Sequence, residues 1–221
     1  MRLYYFTGPQ HAVDNVARRQ LKLSFPNEVN DIFEMMPFDF GDDKVARREW
    51  KRSIDKVSQS CGFISFSQHW GVPTMWGHYA QSHQGVCYGF DIEGDLLRMN
   101  YEKEFTDFFD EAFSGRLGVD WKLRFAQGTK SDHWEYEDES RLFLKLDQDE
   151  RAQKARGVKV FYKEFGADLV LREIIIGAKS TLTKSDFEKA LQGYDLCEKI
   201  IKARASFREF KIVEHKNFQW N

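Results

Sequence analysis

Cysteine is scarce in this chain. Cys61, Cys87 and Cys197 lie far apart, odd in number and free of any Cys-x-x-Cys or Cys–His pairing. Such a set argues against a disulfide framework or a structural zinc site and points to a reducing compartment. Proline is also rare, at 4 against 15 glycines, so disordered, collagen-like and low-complexity readings fail. No run approaches the roughly 18 consecutive apolar residues of a membrane helix. The start, Met-Arg-Leu-Tyr-Tyr-Phe, enters a turn without the apolar core of a signal peptide. These absences predict a cytoplasmic protein that does not engage a membrane. An excess of one charge is missing too: 33 Lys and Arg face 35 Asp and Glu, a formal charge of −2. No global field attracts nucleic acid, and any such binding needs a local patch. Phosphate loop, GxGxxG, nucleophile elbow and HExxH are all lacking.

What the chain has in quantity is aromatic side chain: 20 Phe, 8 Tyr and 6 Trp in 221 residues. So many large flat groups must stack in a core or line a pocket. The length fits one domain over residues 1–221.

Residues 3–7 read as an opening strand stopped by Gly8-Pro9, and apolar residues from Ala12 to Leu21 keep a helical spacing. Residues 43–58 form a second predicted helix, with Trp50 and Ile54 on one stripe and the basic run Arg47, Arg48, Lys51 and Arg52 as a solvated face. Strands are expected at 62–67, 86–91, 97–101, 158–162, 169–176 and 207–214, with a long alternating run over 133–146. The acidic, Phe-rich stretch 104–113 shows no clean period. A short helix over 75–83 is expected to close at Gly85 in the left-handed conformation, and a helix of up to twenty residues, capped by Ser185 and Glu188, to precede the last strand. The sum is a single α+β domain: a mixed or split sheet of five or more strands flanked by three to five helices.

Three segments carry candidate chemistry. In Trp76-Gly77-His78-Tyr79-Ala80-Gln81-Ser82-His83, the histidines stand five apart, roughly 140° around a helix, so they cannot chelate zinc as an i, i+4 pair, and no metal is expected. The run is either a core stripe or an aromatic helix end offering imidazoles to a ligand. In Trp134-Glu135-Tyr136-Glu137-Asp138-Glu139-Ser140-Arg141, an extended chain puts Glu135, Glu137, Glu139 and Arg141 on one face. That face is either solvated, with Arg141 as counter-ion, or holds one carboxylate in a cleft. In 63–67, Ser65 and Ser67 share a strand face, and the first strand supplies Tyr4-Tyr5-Phe6-Thr7.

Taken in order, Asn30-Asp31-Ile32-Phe33-Glu34, Phe63-Ile64-Ser65-Phe66-Ser67, the Trp-x-His-Tyr-Ala-x-x-His-x-Gly run from Trp76 to Gly85 and the Trp-x-Tyr-Glu-x-Glu-x-Arg run from Trp134 to Arg141 resemble the bacterial and phage family known as domain of unknown function 2971. The resemblance spans about residues 3 to 180 and departs at Ile32, where that family usually has proline. The order of aromatic strand, helix, Ser-x-Ser strand and Glu-x-Glu strand also resembles the frame of ADP-ribosyltransferases. That second resemblance implies nicotinamide adenine dinucleotide as co-substrate, Ser65 and Ser67 in the serine positions, Glu139 as the catalytic carboxylate and Glu137 as the residue that orients the acceptor. The Arg or His of the family's first strand is missing here, which leaves Tyr5, Thr7 or Arg2 for its place.

The expected site is therefore Glu139, Glu137 and His78 for catalysis, with Tyr5, Thr7, Ser65, Ser67, Trp76, Tyr79, His83 and Arg141 holding a nucleotide-like ligand. The function these imply is transfer of ADP-ribose to a protein or nucleic-acid acceptor in phage–host conflict. Two alternatives stand beside it: a non-enzymatic binding or interaction module, and a hydrolase or nuclease using histidine and glutamate.

Overall fold

The computed structural model describes residues 1–111 and 118–220. Its strands are β1 (Arg2–Thr7), β2 (Gln20–Lys22), β3 (Phe38–Asp39), β4 (Cys61–Ser67), β5 (Val86–Ile92), β6 (Leu96–Arg98) and β7 (Asn100–Glu102). They continue with β8 (Thr106–Asp107), β9 (Thr129–Ser131), β10 (Glu139–Lys145), β11 (Tyr162–Glu164), β12 (Leu169–Ile176), β13 (Lys199–Ala205) and β14 (Ile212–Glu214). The helices are α1 (Pro9–Ala17), α2 (Lys44–Ser58), α3 (Pro73–His78), α4 (Gly118–Gln127), α5 (Gln148–Ala155) and α6 (Lys184–Ala190), with a 3₁₀ helix at Asp132–Glu137. The architecture is α+β, built on a mixed eight-stranded sheet in the order β14-β13-β12-β5-β1-β4-β10-β6.

The sheet is nearly cut in two. β1 pairs β5 over six positions, from Arg2↔Asp91 to Thr7↔Val86, and β10 pairs β4 over seven, from Glu139↔Ser67 to Lys145↔Cys61. Among the described residues, β1 and β4 meet in register only at Tyr4↔Ser67. Beyond that position the two strands diverge, and the open edge of β4 is taken by Ser24, whose backbone exchanges two 2.9 Å hydrogen bonds with Phe63.

Alternation along the strands separates two apolar layers. Leu3, Tyr88, Phe90, Phe66, Leu169, Leu171, Ile174 and Ile176 pack beneath α1 and α6 through Ala12, Val16 and Phe187. The register shift between Leu171 and Glu173 moves β12 from odd to even positions on that face. On the other face Phe6, Cys87, Ile175, Ala203 and Ile212 pack against Met75, Trp76 and Ala80. Away from the sheet, Met35, Phe38, Phe40, Trp50, Ile54 and Ala126 form a third cluster with Phe108 and Phe125 at its edge. This cluster accounts for part of the phenylalanine excess.

Local chemistry sets most boundaries. Pro9 opens α1 at a position whose N–H needs no partner. Asp43 caps α2 by accepting from Val45 N and Ala46 N at 2.9 and 2.8 Å. Arg47, Arg48, Lys51 and Arg52 are exposed, as expected of a solvated face.

Several elements differ from their sequence expectation. The alternating run 133–146 is a 3₁₀ helix followed by β10, joined at Asp138 in the left-handed conformation with φ 42°. The helix over 75–83 ends at His78, and the left-handed residues are Gln81, Ser82 and His83, not Gly85. Gly85 is required for a different reason: a Cβ there would stand 2.0 Å from the Thr7 carbonyl oxygen. The long helix before the last strand is only Lys184–Ala190, capped by Thr183 and Asp186 and followed by β13, so Cys197 precedes a strand and is not helical. The stretch 158–162 yields only β11, which pairs β2 outside the main sheet, and 97–101 divides into β6 and β7. The last strand is limited to Ile212–Glu214. Residues 112–113 of the Phe-rich stretch lie outside the described residues.

Candidate functional site

The wedge between β1 and β4 is a cleft of about 250 Å3. Tyr4, Tyr5 and Phe6 line one wall, 63–67 the other, and Glu137, Glu139, Arg141 and Lys130 close one end. Met75 and Tyr79 border it beside α3, and the segment around Asn30 and Asp31 borders it from above. Its volume is just under the roughly 300–1,000 Å3 of typical small-molecule sites, enough for one nucleoside-sized group.

A buried ionic network forms the closed end. Arg141 is 2 % exposed and grips Glu34 with both terminal nitrogens, Nη1 to Oε1 at 2.6 Å and Nη2 to Oε2 at 2.9 Å. Its Nε donates to Glu139 Oε1 at 2.7 Å, and the guanidinium lies 4.4 Å from the centre of the Phe63 ring. Lys130 Nζ donates to Glu137 Oε2 and, at 3.2 Å, to Glu139 Oε2, while its ammonium sits 4.7 Å from the Trp134 ring centre. The Tyr79 hydroxyl donates to Glu137 Oε1, and Ser65 hydrogen-bonds Glu139. Three carboxylates thus face two cations, and all five side chains are nearly buried. Such a network is stable only when every member is satisfied.

The two carboxylates of the Glu-x-Glu pair titrate in opposite directions. Burial disfavours charge on Glu139, but Arg141, Lys130 and Ser65 outweigh it and bring its carboxyl down to about 2. For Glu137, burial is the largest effect and the neighbouring Glu139 charge adds to it, so its carboxyl is raised despite Lys130 and Tyr79. Paired groups driven apart in this way are the usual arrangement of an ionised stabiliser beside a proton carrier. Burial also raises the Tyr5 phenol to about 12. The Tyr5 ring stacks flat on Tyr88 at 6.3 Å and 1°, and its hydroxyl has no hydrogen-bond partner among the described residues.

The expected site residues divide. Glu139, Glu137, Arg141, Ser65, Ser67, Tyr5 and Tyr79 line the cleft together. Ser67 is occupied with its own turn, donating to His69 O at 3.1 Å. Thr7 is 7 % exposed and paired with Val86 outside the cleft. Trp76 is fully buried in the second apolar layer, and its Nε1 donates to Trp70 O at 2.6 Å. His83 stacks on Trp76 with ring centres 6.4 Å apart, and burial lowers its pKa. His78 is exposed, with Nδ1 2.9 Å from the Tyr136 hydroxyl. None of these four lines the cleft. The shared face of four residues is also corrected: Glu135 is exposed, and Glu137 reaches the network from the end of the 3₁₀ helix, not from a strand.

Sequence reasoning missed Glu34, Lys130 and Lys22. Glu34 had a signal, because it closes the Asn30–Glu34 motif. Lys130 had none, since its place depends on β9 pairing with β7. Lys22 is exposed on the cleft lining and makes no ion pair with any described residue. Among the described residues no group of three or more His, Cys, Asp and Glu could hold a metal ion, and no helix is long and apolar enough to cross a membrane. No family model, no curated protein and no solved structure matches the chain.

Proposed function

We propose that the cleft binds a nucleotide-like ligand and transfers ADP-ribose from nicotinamide adenine dinucleotide to a macromolecular acceptor, in the cytoplasm and in the setting of phage–host conflict. The observation that supports this reading is the opposite titration of Glu137 and Glu139 beside Ser65 at the closed end of the split sheet. The residues present suit the nicotinamide riboside half of the dinucleotide: the volume takes one nucleoside, Tyr5 has a free hydroxyl, and Lys22 has an uncompensated charge for a phosphate. The free thiols of Cys61, Cys87 and Cys197 accord with a reducing cytoplasm.

In the reaction, the bond between the ribose C1′ and the nicotinamide nitrogen breaks, and nicotinamide leaves neutral with the electron pair. The sugar becomes an oxocarbenium-like cation, which the fixed negative charge of Glu139 stabilises. The acceptor nucleophile bonds to C1′ and gives its proton to Glu137, whose raised pKa suits a base. Products are the ADP-ribosylated acceptor, nicotinamide and one proton. Calorimetric titration with the dinucleotide and with ADP-ribose tests the binding half: wild type should bind both, and Ser65→Ala more weakly.

One observation favours a second reading. Both oxygens of Glu139 already accept from Arg141 and Lys130. A carboxylate so engaged also suits a non-enzymatic binding module whose network only fixes the cleft's shape. In the hydrolase or nuclease reading a histidine should stand beside Glu139, and none lines the cleft among the described residues.

A further inference from the structure

We infer that the turn between β13 and β14 is a docking site for single-stranded nucleic acid. Phe207 and Phe210 are 91 % and 104 % exposed, more than any other large apolar side chain among the described residues. They stand on an ordered hairpin: Ser206 N donates to Lys211 O at 2.8 Å, and Ala205 pairs Ile212. Neither phenyl contributes to a core, so folding gives no reason for either. Both are platforms on which an unpaired base can stack.

Charge identifies the partner further. Arg204, Arg208 and Lys216 line one groove with Phe207, Lys211 follows Phe210 in the chain, and none of the four is in an ion pair with a described residue. Arg2, Arg172 and Lys199 on the same sheet are all paired. The Arg204 guanidinium lies 4.8 Å from the centre of the Phe207 ring. Glu209 and Glu214 are the only nearby carboxylates in this segment, so a net positive patch stands on a chain whose formal charge is −2. This is the local patch that the neutral composition made necessary for any nucleic-acid binding.

The groove beside the turn, about 720 Å3, adds Ser206 and Asn217 to Arg204, Arg208 and Lys216 as hydrogen-bond donors. A second hollow of about 350 Å3 shares Val213 and Glu214 with this groove and Tyr4 with the cleft. Neighbouring concavities therefore share lining residues from the turn towards the cleft. A duplex hides its base faces and cannot stack on the phenyls. Insertion into a lipid surface is disfavoured because the exposed Glu209 stands between Phe207 and Phe210 in the chain and carries a charge into the same short turn. The site does not depend on turnover in the cleft.

The test is fluorescence anisotropy of the full chain with labelled oligo-deoxythymidine and oligo-uridine of about 12 nucleotides, at about 50 and 200 mM salt. Wild type should bind at least one of them, more weakly at the higher salt. Phe207→Ala/Phe210→Ala should lose ten-fold or more in affinity, and Arg204→Gln/Arg208→Gln should lose affinity and reduce the salt dependence. Circular dichroism confirms that each variant is folded, which the exposure of these side chains favours. Failure of wild type to bind either oligonucleotide, equal affinity of the double-Phe variant, or binding only to phosphatidylserine vesicles would overturn the inference.

Discussion

Glu137 and Glu139 share one ammonium, that of Lys130, yet their carboxyl groups are driven in opposite directions. The difference lies in their other partners. Glu139 also accepts from the Arg141 guanidinium, whereas Glu137 has only a neutral phenol, that of Tyr79. One carboxylate is fixed as an anion and the other is left able to carry a proton.

Arg141 holds two buried carboxylates, so its removal should unfold more than it exposes. Arg141→Met leaves Glu34 and Glu139 without their main cation, and the expected loss is about 3–5 kcal/mol in urea unfolding. Arg141→Lys keeps the charge but cannot make the two-point contact to Glu34, and should fall between Arg141→Met and wild type. A loss under about 1 kcal/mol for Arg141→Met would mean the network contributes little.

The acid limb of stability should belong largely to Glu139. Its carboxyl lies at about 2 in the folded chain against an ordinary 4.5, so its contribution is complete above 4.5 and is lost as pH falls towards 2. Urea midpoints stepped from neutral pH into this window should fall for wild type. Glu139→Gln should be less stable at neutral pH and show a flatter decline over the same window.

Tyr79 donates to the charged form of Glu137, so Tyr79→Phe should raise the Glu137 pKa further. If Glu137 takes the acceptor's proton, the pH at which transfer rises should move upward in Tyr79→Phe. An unmoved profile would assign that limb to another group. By contrast His78→Ala, outside the cleft, should change dinucleotide affinity by no more than about 0.5 kcal/mol in a calorimetric titration.

Parts of the first half of the fold were readable where local signals agree, but the helical spacing expected to Leu21 ends at Ala17, and Leu21 lies in β2. Gly8-Pro9 ends one strand and begins a helix, Trp50 and Ile54 keep a helical stripe, and residues 61–67 and 86–92 are apolar runs bounded by turns. One error falls where a backbone conformation overrides a pattern. Alternation over 133–146 imitates a strand, but Asp138 at positive φ reverses the chain and turns Glu137 inward from a different element. Ser65, Glu139 and Arg141 were singled out by the period of two within their own segments, while their meeting was implied only by the resemblance to ADP-ribosyltransferases; in the structure β10 pairs β4 with Glu139↔Ser67 and Arg141↔Ser65. Lys130 is only seven and nine residues from Glu137 and Glu139 but reaches them because β9 pairs with β7, and Glu34 arrives from 107 residues before Arg141; neither placement is specified by a local pattern.

Nicotinamide release from the dinucleotide, followed with and without cell extract as a source of acceptor, tests the proposed transfer most directly. Wild type should release nicotinamide. Glu139→Gln, which keeps the shape of the side chain and removes its charge, should be slower by about 100-fold, equivalent to about 3 kcal/mol, with dinucleotide affinity nearly unchanged. No release from folded wild type under either condition, or equal release from wild type and Glu139→Gln, would contradict the transferase reading and leave the cleft as a binding site alone.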